Sequence, residues 1–234
     1  MQAEEQVKAV AARLKKLNPS FDGQVSSKIK NGLVTEIGLG RNVFNISPLK
    51  GMPLTHLDLG SSEVQDLSPL RGMPLTILNL HGSRLVRDLT PLKGMPLISL
   101  NIAGTQASDL SPLEGMNLAS LDLHATPVSD LSPLKDLPLT ILNISEGTQV
   151  RDLEPLKDMP LKTLHMFDVP GVTNLQPLQG MNLETLSMTP KNITEGLDVI
   201  RNMKSLKSIG TFYYDKVWPA AEFWERYDKG EFTK

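Results

Sequence analysis

A six-residue pattern, Leu-x-x-Leu-x-Leu, recurs along most of this 234-residue chain at nearly constant spacing. Its copies follow one another every 21 or 22 residues and begin at Leu54, Leu75, Leu97, Leu118, Leu139, Leu161 and Leu183. In an extended segment this spacing places the last two leucines on one face and the residue between them on the other. A single short unit cannot bury its apolar face alone. The copies must therefore stack on one another and share a continuous core.

A second motif, Leu-Ser-Pro-Leu or a close variant, follows each strand motif at a constant offset. Its copies occupy residues 67–70, 89–92, 110–113, 131–134, 153–156 and 175–178. Ser or Thr before Pro is typical of a helix N-cap followed by the first helical position. A glycine such as Gly72, three residues after the proline, can end the turn. Because only about four residues are available, we expect a 3-10 turn rather than an α-helix.

The two motifs together predict an α/β fold. A strand that returns to the same sheet in every repeat must run parallel to its predecessor, and such crossovers are almost always right-handed. We therefore predict a right-handed parallel β solenoid, with strands on its concave side and short 3-10 turns on its convex side. Stacked leucines would fill the space between the two sides.

The order of a strand followed by Thr-x-Val-x-Asp-Leu-Ser-Pro-Leu resembles the internalin type of bacterial leucine-rich repeat. Residues 126–134 show this best, and the resemblance covers residues 33–211. It implies leucine-rich repeats of 21 or 22 residues and a protein-binding role. The chain departs from the usual pattern where asparagine would follow the strand, since it has Ser62, Ser83, Thr105 and Thr126 there. A hydroxyl can still bond nearby backbone groups at these positions.

The residues before the repeats predict a cap on the first repeat. Residues 4–17 carry four apolar side chains at helical spacing, Val7, Val10, Leu14 and Leu17. An Asn-Gly pair joins strands predicted at residues 25–30 and 33–39, and the second of these strands is also the first repeat strand. We expect this N-terminal helix and hairpin, residues 1–39, to cover the first leucine layer and its strand edge.

Aromatic residues concentrate in the last part of the chain, residues 212–234. This segment holds eight of the eleven aromatic residues: Phe212, Tyr213, Tyr214, Trp218, Phe223, Trp224, Tyr227 and Phe232. We expect it to form a C-terminal cap with an aromatic helix over the last leucine layer. The alternative is a platform on which a ligand stacks. Residues 218–232 also resemble segments that flank repeats appended to bacterial serine/threonine protein kinases.

Composition limits the classes of function. We predict a single leucine-rich-repeat domain over residues 1–234, with the repeats at 40–211 between the two caps. The chain has 24 basic and 26 acidic side chains and no basic stripe, which argues against a nucleic-acid partner. It has no cysteine, and therefore no disulfide or thiol nucleophile. We further expect a monomer without membrane insertion, cytoplasmic unless the chain is a fragment of a larger protein.

The outward positions of the predicted strands form three columns on the concave face. The first column is His56, Ile77, Ser99, Ser120, Ile141, Thr163 and Thr185. The middle column is Asp58, Asn79, Asn101, Asp122, Asn143, His165 and Ser187, and the third is Gly60, His81, Ala103, His124, Ser145, Phe167 and Thr189. We predict partner binding for His56, Asp58, Asn79, His81, Asn101, Asp122, His124, Asn143, Ser145, His165 and Phe167.

Neither metal binding nor catalysis is favoured by this arrangement. His81 and His124 share a column but stand two strands apart, about 10 Å, whereas zinc needs each nitrogen at about 2.0–2.1 Å. The sequence has no ordered Ser-His-Asp set and no phosphate-binding glycine loop. A weak acid and base pair, such as His56 with Asp58, is the enzymatic alternative. We predict no metal, no cofactor and no catalytic residue.

An aspartate precedes most Leu-Ser-Pro-Leu motifs, at Asp66, Asp88, Asp109, Asp130 and Asp152. Stacked carboxylates suggest calcium as one interpretation. The other is structural, because each carboxylate can accept hydrogen bonds from the free N–H groups of the turn that follows it. We favour the structural interpretation.

The resemblance and the concave columns together indicate a non-enzymatic module that binds a protein or peptide partner. The alternative is a ligand-sensing or regulatory domain of a larger kinase-type receptor. Within the columns, we expect the contact around Phe167, because binding hot spots favour large side chains with polar neighbours. Those neighbours are His124, Asn143, Ser145 and His165. Phe167 could instead fold over the irregular turn at residues 168–171.

Overall fold

The computed structural model describes residues 2–211 and 216–232, and the chain divides into two compact units, Met1–Leu118 and Ala119–Lys234. Each unit is a solenoid of leucine-rich repeats, which confirms the predicted fold class. That the whole chain acts as one domain stays a prediction.

The first unit begins with helix α1, Ala3–Leu17, and an antiparallel hairpin of β1, Val25–Lys30, and β2, Leu33–Leu39. Three short strands then continue the sheet in parallel: β3, His56–Asp58, β4, Ile77–Asn79, and β5, Ser99–Asn101. The 3-10 turns lie at Ser47–Leu49, Ser68–Leu70, Thr90–Leu92 and Ser111–Leu113. Strand and turn therefore alternate as the two motifs predict.

The second unit continues the same alternation. Its parallel strands are β6, Ser120–Asp122, β7, Ile141–Asn143, β8, Thr163–Met166, β9, Thr185–Met188, and β10, Ser208–Gly210. Its 3-10 turns lie at Ser132–Leu134, Glu154–Leu156, Gln176–Leu178 and Pro190–Asn192. A short helix α2, Leu197–Arg201, precedes β10. Strand β11, Val217–Pro219, then pairs antiparallel with β10, and helix α3, Ala220–Asp228, follows it.

The inward residue of each short strand is buried. In the first unit Leu57, Leu78 and Leu100 occupy this position, and in the second Leu121 and Leu142 do. Fully burying a leucine side chain stabilises a protein by about 1.5–3 kcal/mol relative to leaving it exposed. The core is therefore the stacked leucine layer, and the predicted division between inward and outward positions is confirmed.

The 3-10 turns are confirmed, but the predicted capping role of the serine is wrong. Ser68 is the first residue of its turn, and Leu67 precedes it without any side-chain capping bond. The carboxylate of Asp66 accepts the Ser68 N–H at 2.8 Å instead. Gly72 ends the turn with a φ of +72°, and Asp136 takes the equivalent position with a φ of +66°. The aspartate caps the turn because its oxygen reaches the N–H that the turn leaves free.

The N-terminal cap is tied to the first repeat by one buried amide. Asn18 follows α1, and its Oδ1 accepts the N–H groups of Phe44 and Asn45 at 2.9 and 2.8 Å. Its Nδ2 donates to the carbonyl oxygens of Leu14 and Asn45 at 2.8 and 3.0 Å. Asn18 thus ends the helix and fixes it to the loop before the first 3-10 turn. Leu17, predicted to face the core, is 38% exposed.

The hairpin turn and the C-terminal aromatic helix form where the sequence predicts them. Asn31 and Gly32 have φ values of +52° and +74°, as a tight hairpin turn requires. In α3, the ring of Phe223 is fully buried and stacks on Phe232 with centroids 5.0 Å apart. Three aromatic residues assigned to this cap lie outside the described residues: Phe212, Tyr213 and Tyr214.

In the part of the chain that the structure describes, no helix is long and apolar enough to cross a membrane.

Candidate binding face

Strand register places the outward residues of each unit side by side. In the first unit His56 pairs with Ile77, and Asp58 pairs with Asn79. In the second unit the middle column runs from Asp122 through Asn143 and His165 to Ser187. Adjacent strands in a sheet lie about 4.8 Å apart, so these side chains are direct neighbours. The predicted columns exist within each unit, while partner binding by their residues stays a prediction.

The Asp and Asn side chains of the middle column stabilise the turns that follow their strands. The Asp and Asn side chains of this column each accept, through an oxygen, the backbone N–H two residues further on. For example, Asn79 accepts from His81 at 3.0 Å, and Asp122 accepts from His124 at 3.0 Å. The other members with this bond are Asp58, Asn101 and Asn143. Asp and Asn recur at this position because their short side chains form this turn.

Exposure divides the predicted contact residues. Asn143 and Ser145 are only 5% and 3% exposed, so they offer little surface to a partner. Ser145 Oγ accepts the Phe167 N–H at 3.1 Å and holds the end of β8. The most accessible outward residues include two isoleucines of the first column. Ile77 is 39% exposed in the first unit, and Ile141 is 44% exposed in the second.

His165 is the outward histidine with a shifted pKa. Its Nδ1 lies 2.9 Å from Ser187 Oγ on the next strand. Burial lowers the pKa of His165 below its ordinary value, and the nearby charge of Asp122 opposes that shift in part. Because burial penalises the imidazolium form, His165 is held neutral to lower pH than a solvated histidine.

His124 and Phe167 lie where the strands give way to loops. His124 Nδ1 is 3.2 Å from the Ser145 carbonyl oxygen, so this nitrogen is the donor, and Nε2 is 3.9 Å from a Glu146 carboxylate oxygen. Phe167 is half-buried, and Asp168 after it has a φ of +50°. The Asp168 N–H donates to Thr189 Oγ1 at 2.9 Å. This geometry agrees with the irregular turn that the sequence indicates after Phe167.

The aspartates before the 3-10 turns bond their own turns, as the structural interpretation requires. Each accepts the backbone N–H two residues further on at 2.8 Å: Asp66, Asp88, Asp109, Asp130 and Asp152. Across residues 2–211 and 216–232, no three His, Asp or Glu side chains come together in a group that could hold a metal ion.

The structure also contains a hollow that the sequence does not indicate. It lies on the outward face of β1 to β4, has a volume of about 390 Å³, and includes Lys28, Glu36, Gly38, His56, Asp58, Ile77 and Asn79 in its lining. We call it the Gly38 hollow. The columns drawn from sequence began at β3 and so omitted the hairpin residues. A glycine at the middle-column position of β2 was the one available signal.

Comparisons with known proteins identify the fold. Internalin C2 of Listeria monocytogenes has a crystal structure that matches 86% of this chain and 91% of its own length, with a TM-score of 0.65 and 24% identity. A second internalin of that organism matches 89% of this chain and 91% of its own, with a TM-score of 0.42 and 18% identity. No protein-family model matches the chain. No curated protein matches it significantly in sequence either. At this identity, the likeness to internalin C2 shows a shared leucine-rich-repeat solenoid fold.

Proposed function

We propose that this protein is a non-enzymatic module that binds a protein or peptide partner on the outward face of its strands. One observation carries this proposal: a large apolar side chain stands exposed in the first column of each unit, Ile77 and Ile141. Polar side chains flank both: His56 and Ser99 pair with Ile77, and Ser120 and Thr163 pair with Ile141. An apolar centre with a polar surround is the usual arrangement of a protein-binding surface.

The bonding of the outward histidines supports a binding role over a catalytic one. His56 Nδ1 is 2.8 Å from Oγ1 of Thr55, the residue just before β3. His165 Nδ1 contacts Ser187 Oγ, but Ser187 is buried and has little access to a substrate. A nucleophile must reach the substrate while it contacts its base. The geometry therefore favours recognition.

The test is to capture a partner and map its contact with matched variants. The intact chain serves as bait in a lysate of the source organism, and the captured protein is then purified for calorimetry. Ile77→Arg and Ile141→Arg each place a charge on the outward face of one unit. The matched control is Leu85→Arg, since Leu85 is exposed in the loop after β4 rather than on a strand.

We expect at least one of the two strand variants to raise Kd about tenfold or more, because burying an unpaired charge costs more than about 1.4 kcal/mol. The Leu85→Arg bait should bind as the unmodified chain does. Equal binding by all the baits, or an equal loss in the control, would show that the partner does not use the outward face.

A further inference from the structure

We propose that the Gly38 hollow binds a basic side chain of an extended peptide that has an apolar residue two positions away. This inference rests on the proposed function, because it specifies what part of the first unit's outward face recognises. The occupant follows from the shape, the charge and the apolar wall of the hollow.

The hollow is framed by two rows of residues that cross four adjacent strands in register. One row joins Lys28 on β1, Glu36 on β2, His56 on β3 and Ile77 on β4. The other row joins four residues at the same level of the sheet: Ser26, Gly38, Asp58 and Asn79. Because residues two apart on a strand point to the same face, all eight lie on the outward face.

The hollow lies at Gly38, which is the one position of the second row that has no side chain. A Cβ at this position would lie 2.4 Å from Ser26 Oγ and 3.7 Å from Asp58 Cβ. The Ser26 side chain therefore lies over the Gly38 backbone, while the larger side chains of Glu36, His56 and Asp58 stand around this place. The walls combine these polar groups with apolar surface of Ile37, Leu57 and Ile77.

Charge favours a cationic group in the hollow. Lys28 Nζ and Glu36 Oε2 form an ion pair at 2.8 Å, so their charges cancel. Asp58 then leaves a net negative charge on the walls. Its Oδ1 accepts the Gly60 N–H at 2.8 Å and the Asn79 side-chain amide at 2.9 Å. Both bonds reach the same oxygen, and Asp58 is exposed, so Oδ2 retains capacity for a donor from a ligand.

The apolar wall fixes the second feature of the ligand. Ile77 is 39% exposed and lies on the strand next to Asp58, two residues before the position that pairs with it. Diagonal neighbours of this kind stand about 7–8 Å apart across a sheet. In an extended peptide, side chains two residues apart point the same way and are separated by about 6.6 Å. A basic residue at Asp58 therefore places a residue two positions away over Ile77.

The probe is the peptide acetyl-Ser-Gly-Arg-Thr-Leu-Gly-Ser-amide, added to the full-length protein labelled with ¹⁵N. We expect saturable shifts of the Gly38, Asp58 and Ile77 amide signals, which weaken as salt is added. Two control peptides test the chemistry: one has Glu in place of Arg, and the other has Arg and Leu adjacent. Both should bind more weakly than the probe.

Two variants test whether the charged and the apolar lining residues of the hollow contribute to peptide binding, and each has a matched control. Asp58→Asn removes the charge but keeps the oxygen that Gly60 and Asn79 require, and we expect it to raise Kd for the probe about fivefold, as for an exposed charge pair. Asp88→Asn makes the same change at a turn outside the hollow and should leave Kd unchanged. Ile77→Ser should weaken binding, whereas Ile98→Ser, an exposed isoleucine outside the hollow lining, should not.

The inference is overturned if the probe produces no shifts at millimolar concentration, if the Glu peptide binds equally well, or if Asp58→Asn leaves the affinity unchanged. Failure of this inference can be distinguished from failure of the proposed function. A captured partner that is weakened by Ile141→Arg but not by Asp58→Asn would leave the proposed function standing and remove only the role of the hollow.

Discussion

The carboxylate of Asp130 accepts the backbone N–H of Ser132 at 2.8 Å, and the same bond precedes the 3-10 turns of neighbouring repeats. Such a bond satisfies an N–H that a short turn cannot pair internally. The stacked aspartates are therefore explained by the turns they cap. A shared metal ion is not needed to account for their regular spacing.

This bond predicts a titration that NMR can measure. The Ser132 hydroxyl and then its backbone N–H lower the pKa of Asp130 below its ordinary value. The Ser132→Ala variant loses the hydroxyl bond but keeps the N–H, so the pKa of Asp130 should rise part of the way back. Because the pKa is lowered in the folded state, the ionised carboxylate stabilises the fold above the ordinary value of 3.8. That contribution is lost as pH falls through the lowered pKa. An unchanged Asp130 pKa in Ser132→Ala would contradict this account.

The stacked repeats predict a large difference between two adjacent residues of one strand. Leu142 is fully buried, whereas Ile141 beside it is 44% exposed. Leu142→Ala should cost about 2–5 kcal/mol of unfolding free energy, and Ile141→Ala less than about 1 kcal/mol. Urea denaturation of both variants measures this difference. Similar costs would mean that the inward and outward assignments are wrong.

The repeat architecture could be predicted because its signal is local. The alternation within β7, with Leu142 between Ile141 and Asn143, already determines which side chains face the core. Asn18 could not be predicted in the same way. Its side chain bonds Phe44 and Asn45, which lie more than 20 residues away, and no spacing rule connects these positions. The sequence indicates where α1 ends, but not what holds it against the repeats.

The C-terminal cap yields a second stability prediction. Phe223 is fully buried, stacks on Phe232 and meets Trp224 edge to face with centroids 4.9 Å apart. Phe223→Ala should lower the unfolding free energy by about 3–5 kcal/mol. It should also promote association, since the end of the leucine layer is less well covered. Glu225→Ala, on an exposed position of the same helix, is the control.

Thermal unfolding and size-exclusion chromatography of the two α3 variants test this role. If Phe223→Ala melts as the Glu225→Ala control does and elutes as the unmodified protein does, the aromatic helix is not a cap. The aromatic side chains would then be available for recognition, which is the alternative that the sequence left open.

The binding face was harder to predict than the fold, because outward position does not determine exposure. Asn143 and Ser145 occupy outward positions, yet their side chains are used within the protein, by the Ser145 N–H and the Phe167 N–H. The Gly38 hollow depends on the pairing of Ser26 on β1 with Gly38 on β2. That relation depends on the register of a hairpin, and periodicity along the repeats contains no information about it.

His165 predicts a dependence of stability on pH in the mildly acidic range. Burial lowers its pKa in the folded state, so the unfolded chain binds more protons at this site as pH falls below the ordinary histidine value of 6.5. The unfolding free energy therefore decreases as the pH is lowered from about 6.5 to the lowered pKa of His165, and it levels off below that pKa. His165→Gln should show a smaller loss over this window than the unmodified protein.

A variant of Asp122 should have the opposite effect on the pH dependence of stability. Its charge raises the pKa of His165, so Asp122→Asn should lower that pKa further and increase the loss of stability with falling pH. Asparagine retains the oxygen that accepts the His124 N–H. Urea denaturation between pH 7.5 and 5 measures all three proteins. Parallel curves for the unmodified protein and His165→Gln would rule out this role of His165.

Phe167 remains the predicted centre of the contact in the second unit, and its local bonding allows a clean test. The link to Ser145 uses the Phe167 backbone N–H, so Phe167→Ala keeps that bond and removes only the half-buried ring. With a captured partner, we expect the affinity to fall by about 1–2 kcal/mol with little change in unfolding free energy. Lys50→Ala, next to a 3-10 turn of the first unit, is the control and should change neither quantity. Calorimetric titration and urea denaturation of both variants separate the two roles. A loss of stability without a loss of affinity per folded molecule would assign the Phe167 ring to the irregular turn that Asp168 begins.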